Sequence, residues 1–219
     1  MSNKRKKIKK SNNNKKILIC FIIVILIVGV YFGYTKFLKK DKTVTAPKVV
    51  DEIKSFNYVV NEKDTKLFKS VFSDLKKVLS EKEVDNKKYA ETIAKLFVID
   101  FFNLENKSSK NDVGGVQFVY SSYQTDFVDY ARDGIYKQVN NSIDSKSKQV
   151  LPSVTSVNVV SSDEIDPTSI FESYKSQENN KGYEVVVEWN YKNGEGFQNK
   201  ATLTIVSDGE KLSVAKMEE

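Results

Sequence analysis

Tyr183-Glu-Val-Val-Val-Glu-Trp-Asn-Tyr191 decides the fold class, because its side chains alternate along an extended chain. Tyr183, Val185, Val187, Trp189 and Tyr191 fall on one face, as in a strand with one side buried. Three more stretches after Pro152 read the same way: Val154–Val160, Lys200–Val206 and Lys211–Lys216. Asn193-Gly-Glu-Gly196 and Asp208-Gly209 supply turns between the last three, which predicts an antiparallel meander. The Ser- and Asn-rich run from Ser161 to Lys181 reads as a long loop.

Before Pro152 the apolar period is close to four. Leu67, Phe68, Val71, Phe72, Leu75, Val78 and Leu79 define an amphipathic helix, with Asp64 or Thr65 able to cap it. A second helix runs from about Asn86 to Leu104 behind an Asp85 cap, and its Leu96–Phe102 segment is apolar nearly all round. The polar loop Glu105–Gly115 ends in the turn Asn111-Asp-Val-Gly-Gly115. A third helical stripe, from Val116 to about Ile143, includes Tyr123, Phe127, Tyr130 and Ala131, with breaks near Ser121 or Gly134. Phe56–Val60 reads as a short strand, although 48–60 also fits a helix. Helices first and a meander second make an α+β domain, the helices lying in the hollow of a curled antiparallel sheet.

At the other end of the chain, Ile17–Thr35 is a nineteen-residue run without a charge, preceded by eight Lys or Arg and no acid. As a helix it spans roughly 28 Å, the thickness of a bilayer's hydrocarbon core. The heavier positive flank stays in the cytoplasm, so the C-terminal part is expected outside. The run exceeds a signal peptide's apolar core, and no small-residue cleavage site follows it directly, so an uncleaved anchor is expected. The expected organisation is therefore a basic tail 1–16, a span 17–35, a linker 36–48 and an extracytoplasmic domain 49–219. Gly29 and Gly33 form a GxxxG pair in the span, a candidate for close helix pairing and a homo-oligomer.

Charge separates along the same boundary. Of 35 basic and 29 acidic residues, twelve and one lie in 1–42, leaving 23 and 28 beyond, a net of −5. The overall charge of +6 thus belongs to the anchor, and the mildly acidic remainder argues against nucleic acid as a partner. The single cysteine, Cys20, lies in the span, so the exported part is expected to hold by packing without disulfides, as on a Gram-positive surface.

The chain has no histidine, which removes the commonest general base and metal ligand and every Ser-His-Asp or HExxH arrangement. No cofactor motif is present; neither an enzyme nor a metal site is expected, and Asp163-Glu-Ile-Asp166 lacks the spacing of a calcium loop. Asp100, set among Phe97, Val98, Ile99, Phe101 and Phe102, is the one ionisable residue placed to matter. With Trp189 from the sheet it is the ligand-pocket candidate; the alternative role is to accept hydrogen bonds from a Tyr hydroxyl or from amides of the Asn111–Gly115 loop.

A basic tail, one span, a linker, helices and a curved sheet together resemble the VirB8-like and TcpC-like proteins of bacterial conjugation and secretion machines, members of the NTF2-like (cystatin-like) superfamily. Tyr89–Phe102 (YAETIAKLFVIDFF) and Asn111–Tyr120 (NDVGGVQFVY) also resemble segments of uncharacterised single-span Gram-positive proteins. The resemblance implies a non-catalytic scaffold domain at the outer membrane face, self-associating and bound to other envelope proteins. A module holding a lipid, peptide or small apolar ligand between helices and sheet is the alternative function.

Overall fold

Alternation in the C-terminal third produces a four-stranded antiparallel sheet in sequential order, seen in a computed structural model that describes residues 48–139, 149–169 and 182–219. Its strands are β3 (Ser153–Ile165), β4 (Gly182–Lys192), β5 (Lys200–Asp208) and β6 (Lys211–Glu218). Tyr183, Val185, Val187 and Trp189 are all buried, as the period of two requires. Register shifts at Val154/Ser156 and Val159/Ser161 mark bulges in β3, which bend the strand and curve the sheet. The loop expected from Ser161 begins later, because β3 keeps pairing with β4 as far as Ile165.

A short hairpin precedes the helices. Strands β1 (Val49–Ile53) and β2 (Tyr58–Asn61) pair around a 3₁₀ turn, and Asn57 takes the left-handed conformation at φ 53°. The strand reading of this segment therefore holds over the helical one. The Gln117 side chain accepts from the Val59 N–H and donates to the Val59 carbonyl, doing for β2 what another strand would.

Helix α1 (Lys66–Leu79) starts at Thr65, whose hydroxyl accepts from the Phe68 N–H; Asp64 instead accepts from Asn61 at 2.6 Å. Helix α2 (Asn86–Phe101) is capped by the Asp85 carboxylate through the Lys88 N–H. Ten of its sixteen residues are buried, because it packs on α1 and on all four strands of the larger sheet. At about 1.5–3 kcal/mol for each large apolar side chain withdrawn from water, this helix contributes much of the core energy.

The third stripe is the least regular part. It is divided into 3₁₀ turns at Val116–Phe118, Ser121–Tyr123 and Ile135–Gln138 around a ten-residue helix α3 (Gln124–Asp133). Breaks fall at both expected places, near Ser121 and Gly134. One member of the stripe is misplaced by the periodic reading: Tyr130 is 80% exposed. The residues 17–35, with Gly29 and Gly33, lie outside the described residues. Among those described, no helix is long and apolar enough to cross a membrane.

Candidate functional site

Asp100 sits one residue before the end of α2, where the helix meets the loop 105–115. Its two oxygens are both engaged: Oδ1 accepts from Lys107 Nζ at 2.6 Å and Oδ2 from the Gly115 N–H at 2.7 Å. The Lys107 side chain is 3% exposed and that of Asp100 17%, so the ion pair is largely removed from water. Such a pair holds only if its remaining lone pairs and protons are also satisfied. The backbone arranges this. Gly115 turns at φ +78° to aim its amide, and Gly114 donates to the Tyr136 hydroxyl, which in turn donates to the Phe101 carbonyl. A side chain at Gly114 would fall on the Asp100 carbonyl oxygen.

The same corner holds Lys63 on Asp112 at 2.6 Å, with Ser108 donating to the same carboxylate. Burial pushes Asp112 up, but the Lys63 ammonium and the Ser108 amide outweigh it and leave the carboxyl below its usual range. Asp64 moves the other way, raised chiefly by burial and then by the Asp100 charge. Among the described residues no acidic cluster has the arrangement to hold a metal ion. Asp100 thus fastens a polar loop to a helix end; the loop amide anticipated from Asn111–Gly115 is that of Gly115.

Trp189 lies elsewhere. It is 1% exposed and packs against Phe102 with ring centroids 4.5 Å apart and the rings tilted by 33°, filling the space between α2 and the sheet. It forms the inner border of an open, polar concavity of about 720 Å³ at the β4–β5 turn, whose rim includes Asn193, Glu195 and Asn199. Next to it, burial pushes the Tyr191 hydroxyl up to about 12, and that hydroxyl donates to the Gln198 carbonyl. Asp100 does not border this concavity.

The periodic reading did not find the apolar surface on α3. Phe127, Tyr130 and Met217 border two adjoining depressions of about 320 and 270 Å³, between α3 and the end of β6. Their floors are Phe97 in one and Phe101 with Phe102 in the other. The available signal was the charge pattern of α3. Asp126, Asp129, Arg132 and Asp133 leave it a narrow apolar stripe that covers core on one side only.

Comparison with protein-family profiles, curated proteins and solved structures finds no significant match to this chain.

Proposed function

We propose that this chain is a membrane-anchored interaction protein whose α+β domain, of the NTF2-like and VirB8-like type, is presented outside the membrane to envelope partners. One observation carries the reading: the interior is filled while an aromatic groove is left outside. Trp189, Phe97, Phe102, Leu96 and Ile99 are each no more than 1–2% exposed, whereas Tyr130 at 80% and Met217 at 36% border the α3–β6 groove. A contiguous apolar surface with a polar rim is the usual mark of a protein contact. A ligand module holding its cargo between α2 and the sheet draws less support, since Trp189 and Phe102 occupy that space.

The anchor is the charge-free run Ile17–Thr35, and its basic flank orients the domain outward. Gly29 and Gly33 offer a route to pairing of the anchors within the bilayer. The test is a photoreactive amino acid at Tyr130 in the full chain, irradiated in intact cells. A defined envelope protein should be captured there and not from Glu184, on the solvent side of β4. Recovery of the uncrosslinked monomer alone would sink the reading.

A further inference from the structure

Among the described residues, strand β6 ends the larger sheet and has β5 on one side only. The first part of its other edge is occupied. The Leu212 carbonyl accepts from the Tyr58 hydroxyl and the Leu212 N–H donates to the Tyr89 hydroxyl. Val214 bridges Val119 and accepts from the Tyr120 N–H. Past Val214 the covering chain turns away into the 3₁₀ turn at Ser121 and then α3. The groove described above opens in that gap, with Ala215–Met217 as one wall and Tyr123, Phe127 and Tyr130 as the other.

An open strand edge beside an apolar trough is the arrangement by which domains take up an extended peptide. Backbone groups along the edge supply affinity, and alternate side chains enter the trough. The register shift opposite Ala215 bends this end of β6 away from the regular ladder.

Charge selects among occupants. The two walls of the groove are acidic on balance: α3 carries Asp126, Asp129 and Asp133 against Arg132, and Glu218 and Glu219 follow Met217 against Lys216, with Asp126 and Lys216 lining the groove itself. Arg132 pairs with Asp129 and Lys216 with Glu218, so the acidic excess is that of Asp126, Asp133 and Glu219. A second copy would bring one acidic rim against another, and an anionic bilayer surface would be repelled in the same way. A peptide with basic residues meets neither obstacle.

We propose that β6 and α3 take up an extended segment of a partner protein, which adds as a strand on Ala215–Glu218, sets alternate apolar side chains into the groove and carries Lys or Arg on its flanks. This rests on the interaction reading above and names the chemistry of the partner. The test uses the full-length chain in neutral phosphatidylcholine nanodiscs and a fluorescein-labelled probe, Lys-Lys-Val-Thr-Val-Thr-Val-Lys-Lys, followed by fluorescence anisotropy. Saturable binding is expected, weakened at least tenfold when the probe's lysines become glutamates and lost when its alternate amides are N-methylated. Tyr130→Lys should weaken it at least tenfold as well; since Tyr130 is 80% exposed, its circular dichroism should match the parent's.

Equal binding by the N-methylated probe, unchanged binding by Tyr130→Lys, or no binding by the parent would each overturn strand addition. Photocrosslinking at Tyr130 separates the two levels. An envelope partner captured there, together with a probe that does not bind, leaves the interaction reading standing and removes this one. Capture of lipid or of a second copy of the chain also removes it.

Discussion

Asp100 and Lys107 hold their corner of the domain through one charge-assisted contact and one amide. Removing one partner leaves the other charge buried, so Asp100→Ala should cost about 3–5 kcal/mol. Asp100→Leu with Lys107→Met should recover only part of that loss: an apolar pair of similar volume avoids the desolvation penalty, but the Gly115 N–H is left without its acceptor, a cost of about 1–3 kcal/mol. Urea unfolding midpoints check both; a milder loss in the double variant than in Asp100→Ala is the decisive sign. Gly114 and Gly196 make a paired test of backbone against space. Alanine at 114 meets the Asp100 carbonyl and crowds both Lys107 Nζ and Asp100 Oδ1, so it disrupts that ion pair, which places it near the top of the ordinary range, about 3 kcal/mol. At Gly196, φ is +79° with open space around it, so alanine should cost only the left-handed conformation, about 1–2 kcal/mol.

Among the elements, the two long helices begin on side-chain caps, and these are separable from the core. Thr65→Ala removes the acceptor for the Phe68 N–H and should cost about 1 kcal/mol, read as a lowered thermal midpoint with no change in the spectrum of the folded state. The hairpin β1–β2 and strand β6 are tied by a buried polar cycle. Tyr89 and Tyr58 hydroxyls lie 2.9 Å apart, and between them they engage both backbone groups of Leu212. Tyr58→Phe leaves the Leu212 carbonyl without its donor, a loss of about 1–3 kcal/mol. Amide hydrogen exchange should show the loss concentrated in β6 and β2; uniform acceleration across the domain would refute the local tie.

For the whole molecule, alkaline stability follows from the buried phenols. Burial first, and for Tyr58 the neighbouring Tyr89 next, raise the hydroxyls of Tyr58, Tyr89 and Tyr136 above the ordinary phenol value of 10.0. A raised folded value means the native state keeps its proton longer than the unfolded chain. The resulting stability is complete below pH 10.0 and is lost as pH rises past it toward the folded values. Ultraviolet titration should therefore show these tyrosinates appearing together with unfolding. The expected orientation of the chain has its own check. Cys20 is the only cysteine, so a cysteine placed at Lys192 in a Cys20→Ser background gives a single label site. Lys192→Cys should react with an impermeant maleimide in intact cells; protection until lysis would reverse the topology.

Local rules made most of the domain legible. The strand alternation of Tyr183–Tyr191, the turn at Asp208-Gly209, the cap at Asp85 and the two long helices are consequences of period and turn chemistry within a few residues. So is the charge-free run at Ile17–Thr35, whose placement in a membrane stays an expectation. Three features belong to tertiary structure alone. Lys107 finds Asp100 because the loop folds back onto the end of α2, and no spacing rule announces that return. Tyr130 counts as core by periodicity, yet α3 is short and has the sheet edge on one side only, which leaves the ring in water. Among the described residues, β6 has an open length because the chain covering it departs after Tyr120. Sequence periodicity reports which face of an element is apolar; whether another element arrives to cover it is settled by long-range packing.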